Sequence, residues 1–322
     1  MIDLIEVRKI CKDFPVRGGF FSVSKRSWLR AVDSVSLGIR RGEILSLVGE
    51  SGCGKSTLGR LILNLIPPTS GEVIYDGRNL SGLPEKEMRE ARRKMQIIFQ
   101  DPYSSLNPRM RVLDILAEPL VTHGAAKSPP EIREMTSRVM RRVGLRSDAL
   151  RRFPHEFSGG QRQRIGIARA IALEPELIVC DEPLSALDVS VRSQVINLLC
   201  ELKNELALTY LFISHDLSVV RYLSDRICVM YLGRIVETGG SDEIFSNPMH
   251  PYTRSLISAV PVPDPRRRNR ERIILKGEMP SPVDPPSGCA FRTRCPEAAG
   301  ICSAERPVLP DAPGHAAACH FA

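Results

Sequence analysis

Gly49, Gly54, Lys55 and Ser56 stand in VGESGCGKSTLGRL (residues 48–61) at the spacing G-x-x-x-x-G-K-[ST], with Glu50, Ser51, Gly52 and Cys53 as spacers and Thr57 directly after. Glycines so placed let backbone N–H groups turn inward around anionic oxygens, and a helix starting there offers its positive end to the same point. In such a loop the lysine reaches the outer phosphates of a nucleotide, and the serine hydroxyl can ligate Mg2+. A second cluster closes the run LIVCDE (177–182), where an apolar segment stops at two carboxylates, Asp181 and Glu182. Acid at the carboxyl edge of a sheet suits a Mg2+ shell in the first position and activation of an attacking water in the second. Standing alone, the pair would also fit a helix with an acidic first turn; the phosphate loop upstream favours the metal and water roles.

These residues need strands and helices to hold them. EILSLVG before the loop is a short Leu-rich run and STLGRLILNLI after it carries apolar residues at helical spacing, so the loop joins a strand to a helix. The alternation continues through ELIVCDEP, DVSVRSQVINLLCEL, TYLFISHDLSVVRYL and RICVMYLGRIVETG, the cadence of an α/β domain with a largely parallel sheet. With 322 residues, 43% of them hydrophobic, the chain is long enough for about two domains and a sizeable core. It contains no run of about 18 apolar residues, and MIDLIEVRKICKDF has charges where a signal peptide needs an apolar stretch, so a cytoplasmic location is expected. The formal net charge of +8 is spread over RRKMQ, VMRRVGLR, LRRF and DPRRRNRER, the pattern of a solvated face. From about residue 260, proline and arginine dominate PVPDPRRRNRERIILKGEMPSPVDPPSG, which reads as an extended surface linker ahead of a cysteine-bearing tail.

FSGGQRQR (157–164), between the phosphate loop and the acidic strand, closely resembles the signature sequence of ATP-binding cassette transporters. The family's other landmarks stand around it in their usual order: IIFQDP with Gln100, CDEP with Glu182, SALD with Asp188 and ISHD with His215. Physically, SGGQ places a hydroxyl and two unhindered backbone N–H groups at a helix start, a second anion site. The resemblance implies a P-loop NTPase cassette over residues 1–245, of α/β class, with a helical signature subdomain at about 101–165 and a small cysteine-containing extension over 246–322. It implies a head-to-tail dimer holding two ATP, in which Ser158, Gly159, Gly160 and Gln161 of one subunit close over the nucleotide cradled by Gly49 to Thr57 of the other. It places Phe14 against adenine, although Phe14 would also serve as an ordinary strand-packing residue. Ser56, Gln100 and Asp181 are then Mg2+ ligands, Glu182, His215, Gln100 and Lys55 the catalytic set, and Asp188 a dimer-interface residue. Phe157 departs from the family's leucine, but the phosphate-facing residues are intact and the site reads as active.

MHPYTRSLISAVPVPDP (249–265) is similar to the segment that follows the cassette in ATPases of oligopeptide, dipeptide and nickel importers. FPVRGGFFSVSKRSWLRAVDSVSL and FQDPYSSLNPRM also look like the second ATPase subunit of such importers. The resemblance implies import of di- or oligopeptides, with nickel or another solute as the alternative cargo. The implied partners are a homologous first ATPase subunit, two membrane permease subunits and, indirectly, an external solute-binding protein. The implied place is peripheral, on the cytoplasmic face of the inner membrane. Cassette ATPases also act on nucleic acid or ribosomes, but here one cassette is present and residues 58–157 show no sustained heptads, so no nucleic-acid partner is expected.

Four of the nine cysteines, Cys289, Cys295, Cys302 and Cys319, gather in the tail; Cys11, Cys53, Cys180, Cys200 and Cys228 are scattered and read as small apolar fillers. A cytoplasmic setting argues against disulfides, and a short proline-rich tail has little core of its own, which favours a metal as organising centre. The intervals of five, six and sixteen residues miss the usual zinc pairs and ferredoxin runs, so spacing leaves three readings: an iron–sulfur cluster, Zn2+ with His315 or His320 replacing a thiolate, or free thiols. The family resemblance favours a 4Fe-4S cluster. Any such site is expected to lie outside the ATP machinery and to stiffen the tail or sense redox state.

Overall fold

Three strands are buried at every position, and their sequences say why: ILSLV, LIVCD and TYLFIS are nearly continuous apolar runs, the composition of strands covered on both faces. The computed structural model describes residues 3–16, 27–260, 273–275, 277–311 and 314–322, so residues 261–272 and 276 of the expected proline- and arginine-rich linker lie outside the described residues. In chain order the elements begin with β1 (Asp3–Val16), β2 (Ser27–Arg40), β3 (Ile44–Val48), α1 (Lys55–Ile62), β4 (Ser70–Tyr75), β5 (Arg78–Asn79), α2 (Glu85–Lys94) and β6 (Met95–Ile98). They continue with α3 (Pro102–Ser105), α4 (Val112–Thr122), α5 (Pro129–Arg142), α6 (Gly159–Ile171), β7 (Leu177–Asp181), α7 (Val189–Leu206) and β8 (Thr209–Ser214). Last come α8 (Leu217–Leu223), β9 (Arg226–Tyr231), β10 (Arg234–Gly240), α9 (Ser241–Ser246), α10 (Pro251–Ser258), α11 (Gly300–Ala304) and β11 (Ala316–Ala317).

Contacts divide the chain into two units that interleave in sequence. The first takes in Ile39–Glu43 and Gly82–Ile213. Here β6, β7 and β8 run parallel, with Met95 opposite Leu177 and Leu177 opposite Thr209. Helices α4, α5 and α6 pack on one another, and α6 also packs on β6. The start of α5 is written locally: Ser128 accepts from the Glu131 amide, Pro129 follows at the first helical position, and Glu131 reaches back to the Lys127 amide at 2.8 Å. A cap of this kind contributes about 1 kcal/mol.

The second unit takes in Asp3–Gly38, Ile44–Ser81 and Ser214–Ala322. It contains an antiparallel sheet, order β2-β1-β4-β5, in which Ile5 faces Tyr75 and Val7 faces Val73. It also contains the run β11-β10-β9-β3, where β3 and β9 are parallel and the other pairs antiparallel. The largely parallel α/β expectation therefore holds for the strands that end at the acidic pair and the phosphate loop. The antiparallel sheet goes beyond it, because β1 is only half buried and its alternation was not legible as a separate layer. In the tail, β11 adds an edge strand, Ala317 facing Glu237, so chain far from β10 in sequence finishes its sheet.

Candidate active site

In the second unit the phosphate loop runs from the end of β3 to α1, whose N-cap is Gly54 at φ 107°. Only glycine fits there: a Cβ on Gly54 would lie 2.2 Å from the Ala31 carbonyl oxygen, and one on Gly49 would lie 2.2 Å from that of Met230. Lys55 is buried, and its ammonium donates to the carbonyls of Gly49 (2.8 Å) and Glu50 (2.9 Å), which compensates a charge withdrawn from water. Burial raises the Cys53 thiol beside it, partly opposed by Lys55, so this spacer stays protonated and inert.

Glu50 is held twice. Its amide donates to the Tyr252 hydroxyl at 2.8 Å, and its carboxylate accepts two hydrogen bonds from the Arg294 guanidinium at 2.7 and 3.0 Å. The Arg294 side chain is only 8% exposed, and the hydrogen bond to Glu50 raises its pKa further. The tail therefore reaches the phosphate loop through Arg294, the residue directly before Cys295. The sequence signal was present but unread: an arginine directly before Cys295 and a carboxylate at a variable position of the loop motif.

Of the other expected residues of this unit, Ser56 and Thr57 at the start of α1 are half-buried, and His215 and Phe14 lie in the open. His215 is exposed in a turn fixed locally, where Ser214 Oγ accepts from the Asp216 amide at 3.0 Å and Asp216 caps α8. Phe14 on β1 is 37% exposed, with the Lys12 ammonium 5.1 Å from its ring centre, an aromatic face available for stacking.

The first unit brings Gln100 and Glu182 together: Gln100 Nε2 donates to Glu182 Oε2 at 3.0 Å. Asp181, the last residue of β7, is buried, and Glu182 follows at φ 46°, a left-handed conformation unusual for a side chain of this size. Its backbone is over-determined, since the amide donates to Ile213 (3.0 Å) and the carbonyl accepts from the Ser185 amide (3.2 Å) and hydroxyl (3.0 Å). The signature turn is a capping box: Ser158 Oγ accepts from the Gln161 amide, and Gln161 Oε1 accepts from the Ser158 amide. Ser158, Gly159 and Gln161 are exposed, whereas Gly160 is buried where a Cβ would come within 2.4 Å of Val191. Phe157, the departure from leucine, is buried with the Arg152 guanidinium 4.7 Å above its ring. Asp188 is exposed at the N-terminus of α7, and its side chain makes no capping bond.

None of the nine cysteines is paired in a disulfide. Cys289, Cys295, Cys302 and Cys319 line one small cavity with His250 and His320, and burial raises the Cys289 and Cys295 thiols. Among the described residues no group of three or more His, Cys, Asp or Glu could hold a metal ion, so the arrangement lends no support to the iron–sulfur and zinc expectations. His315 is engaged elsewhere: its Nε2 lies 2.7 Å from Glu237 on β10, a fully buried carboxylate that also accepts from the Met249 and His250 amides. His320 Nε2 lies 3.1 Å from the Glu305 carbonyl.

Comparison with known proteins adds relatives to this geometry. Residues 32–185 match the family description "ABC transporter", and residues 236–302 match "Oligopeptide/dipeptide transporter, C-terminal region". The chain is similar to "Putative oligopeptide transport ATP-binding protein YkfD" of Bacillus subtilis (strain 168), 55% identical over 94% of this chain and 92% of the relative. It is 51% identical to "Oligopeptide transport ATP-binding protein OppF" of Escherichia coli (strain K12), over 98% of this chain and 95% of the relative. Among solved structures, a dimeric post-hydrolysis state of the ATP-binding cassette MJ0796 bound to ADP and Pi matches with a TM-score of 0.65 and 30% identity, covering 74% of this chain and 98% of that one. CbiO1 of Clostridium perfringens, part of the ABC transporter complex cbiONQ, matches with a TM-score of 0.65 and 26% identity, covering 77% and 92%.

Proposed function

The chain belongs to the ATP-binding cassette transporter ATPases that carry the oligopeptide/dipeptide transporter C-terminal region, and from that premise we propose that it hydrolyses ATP to energise import of di- or oligopeptides. The observation that carries the reading is the presence of both regions in one chain, with relatives named for oligopeptide transport aligned over nearly its whole length. We assign the cassette to residues 1–245, the helical signature subdomain to about 101–165, and the extension to 246–322.

In the proposed mechanism the Gly49–Thr57 loop wraps the phosphates of ATP, Lys55 neutralises the outer two, and Phe14 lies against adenine. Ser56, Asp181 and Gln100 would hold Mg2+; a hydroxyl, a carboxylate and an amide oxygen are the hard donors that ion takes. Bound there, Mg2+ would neutralise charge developing on the phosphates. Glu182 accepts a proton from the attacking water, with its orientation steadied by Gln100 Nε2 and by its over-determined backbone. His215 donates to the terminal phosphate. The catalysis so described is positioning and charge neutralisation, which is what phosphoryl transfer to water requires.

The Ser158–Gln161 turn closes over the nucleotide of a partner cassette, and Asp188 meets that partner at the interface. The exposure of Ser158 and Gly159 at the start of α6, where a helix N-terminus favours an anion, supports this. We propose a homologous first ATPase subunit as that partner, on two permease subunits at the cytoplasmic face of the inner membrane, fed by an external solute-binding protein. Among the described residues no helix is long and apolar enough to cross a membrane, in keeping with a peripheral role. For the tail, the 4Fe-4S reading is kept as one to test: four thiols line one cavity, but among the described residues they form no group placed to hold a metal ion. Protein purified without oxygen decides: brown colour with acid-labile sulfide that Cys295→Ser abolishes supports the cluster, while colourless protein with four titratable tail thiols removes it.

Growth of a deletion strain on defined di- and oligopeptides as sole nitrogen source, with nickel uptake measured beside it, tests the transport reading. Loss of growth on peptides with nickel uptake unchanged is expected. Normal growth on every peptide would overturn it.

A further inference from the structure

The phosphate-loop motif leaves its second position open, yet here that position is a carboxylate, Glu50, directly beside the glycine that begins the anion cradle. A negative side chain at that place opposes an incoming polyphosphate unless something neutralises it. The neutralising group comes from the tail: Arg294 meets both oxygens of Glu50, at 2.7 and 3.0 Å, in the forked geometry that gives arginine–carboxylate pairs their strength and direction. A second tie, from α10, binds the main chain of the same residue, since the Glu50 amide donates to the Tyr252 hydroxyl. The Glu50 carbonyl in turn accepts from the Lys55 ammonium at 2.9 Å, so two links through Glu50 run from the tail to the cation of the loop, and the Tyr252 tie ends on the same residue.

Both ties have firm backing. Tyr252 is fully buried, and its ring packs against Tyr231 at 4.8 Å and against Phe291 of the tail at 5.4 Å. Phe291 is 2% exposed and lies three residues before Arg294 in the segment between Cys289 and Cys295. The tail is thus anchored by an aromatic cluster, and a rigid anchor is what lets a long arginine hold one geometry.

We propose that Arg294 and Tyr252 are positioning residues for ATP: by holding the carboxylate and the amide of Glu50 they cancel its charge and fix the phosphate loop in its binding form, so that the C-terminal region sets nucleotide affinity. The proposal rests on the ATP-binding reading above. It has an asymmetric consequence. Arg294→Gln leaves a bare carboxylate beside the phosphates, whereas Glu50→Gln removes the offending charge together with the pair, so the first change harms binding more than the second. The coupling is also reciprocal, as any linkage must be: nucleotide in the loop steadies the tail by as much as the tail steadies the loop.

The test uses the full-length chain, with Kd measured for a non-hydrolysable ATP analogue and Mg2+ and KM and kcat measured with ATP and Mg2+, comparing wild type, Arg294→Gln, Glu50→Gln and the double variant, with Lys55→Ala as reference. Arg294→Gln is expected to raise Kd and KM roughly five- to thirtyfold with kcat within about twofold. Glu50→Gln is expected to cost less than about threefold, and the double variant to match Glu50→Gln. The loss should also be smaller for ADP than for the triphosphate. Equal losses in both single variants, additive losses in the double, or a fall in kcat with Kd unchanged would make the pair merely structural and overturn the proposal. Should Arg294→Gln not fold, Arg294→Lys, which keeps charge without the fork, and hydrogen exchange of wild-type residues 289–295 decide. Slower exchange on adding nucleotide is expected, and no change counts against the coupling. Wild-type protein that fails to bind nucleotide, or Lys55→Ala that binds as well as wild type, would instead sink the ATP reading itself.

Discussion

The molecule contains two glycine turns that open helices and offer backbone N–H groups, and they are built in opposite ways. The phosphate loop is finished by its own unit: glycines pressed against the Ala31 and Met230 carbonyls, a buried lysine, and Glu50 tied to Tyr252 and Arg294. The signature turn is capped by its own residues, through the reciprocal Ser158–Gln161 bonds; Gly160 packs on Val191, and Ser158 and the outer glycine face solvent. Strain and tertiary support mark a site that must hold a ligand in a fixed pose within one chain. A locally capped, exposed turn marks a surface waiting to be completed from outside, in keeping with its proposed place at a cassette interface.

Substitutions can break this contrast in graded steps. The largest effect is expected from Glu182→Gln, which leaves both turns untouched and keeps an acceptor for Gln100: turnover should fall by about 10²–10⁴ with ATP affinity unchanged, read by steady-state ATPase and equilibrium binding. Sedimentation should then show an ATP-dependent dimer, and wild-type turnover would remove Glu182 from its role. Next, Lys55→Ala should weaken ATP binding roughly 100-fold in the isolated chain.

Acid should act on the phosphate-loop side through one buried histidine. His250, beside Tyr252 and the buried Glu237, with Arg254 as the nearby cation, is held down to about pKa 4 chiefly by burial and then by Arg254. Its folded pKa lies below the unfolded value of about 6.5, so the unfolded chain takes up the extra proton between these limits. The stabilisation is full above pH 6.5 and is lost as pH falls toward 4, by about 2–3 kcal/mol. Thermal unfolding across that window should show the loss, and His250→Asn, which retains a capping acceptor for the Tyr252 amide, should flatten it.

Smaller effects sharpen the other turn. Ser158→Ala should cost about 1 kcal/mol of stability through the lost cap, leave ATP binding by the isolated chain within about twofold, and lower the turnover of the assembled importer roughly tenfold. An equal loss of ATP binding in the isolated chain would contradict the contrast. The least effect belongs to Phe157→Leu, where loss of the Arg152 stacking should change stability by less than about 1 kcal/mol and leave activity intact.

What the sequence made legible were features written locally. Continuous apolar runs predict β3, β7 and β8, the S-x-x-Q spacing predicts the cap of α6, and glycine spacing predicts the phosphate loop, because each needs only near neighbours in the chain. Illegible were the features that depend on distant partners. The antiparallel sheet pairs Ile5 with Tyr75, β11 finishes a sheet begun at β9, and Glu50 meets Arg294 across 244 residues of sequence. Nothing in the residue types themselves names such partners. Gly160 shows the same limit, since the motif asks for glycine there and only the packing against Val191 says why.

The Arg294–Glu50 pair also sets an order of events during synthesis. Residue 50 leaves the ribosome 244 residues ahead of the arginine that neutralises it, an interval of roughly 12–50 s at ordinary elongation rates. Throughout that interval the nascent cradle carries an uncompensated acid at its mouth and lacks the tyrosine strut for most of the time. On the proposal above, a product cut short before Arg294 would lack the tie to Glu50 and bind nucleotide more weakly, as expected for Arg294→Gln.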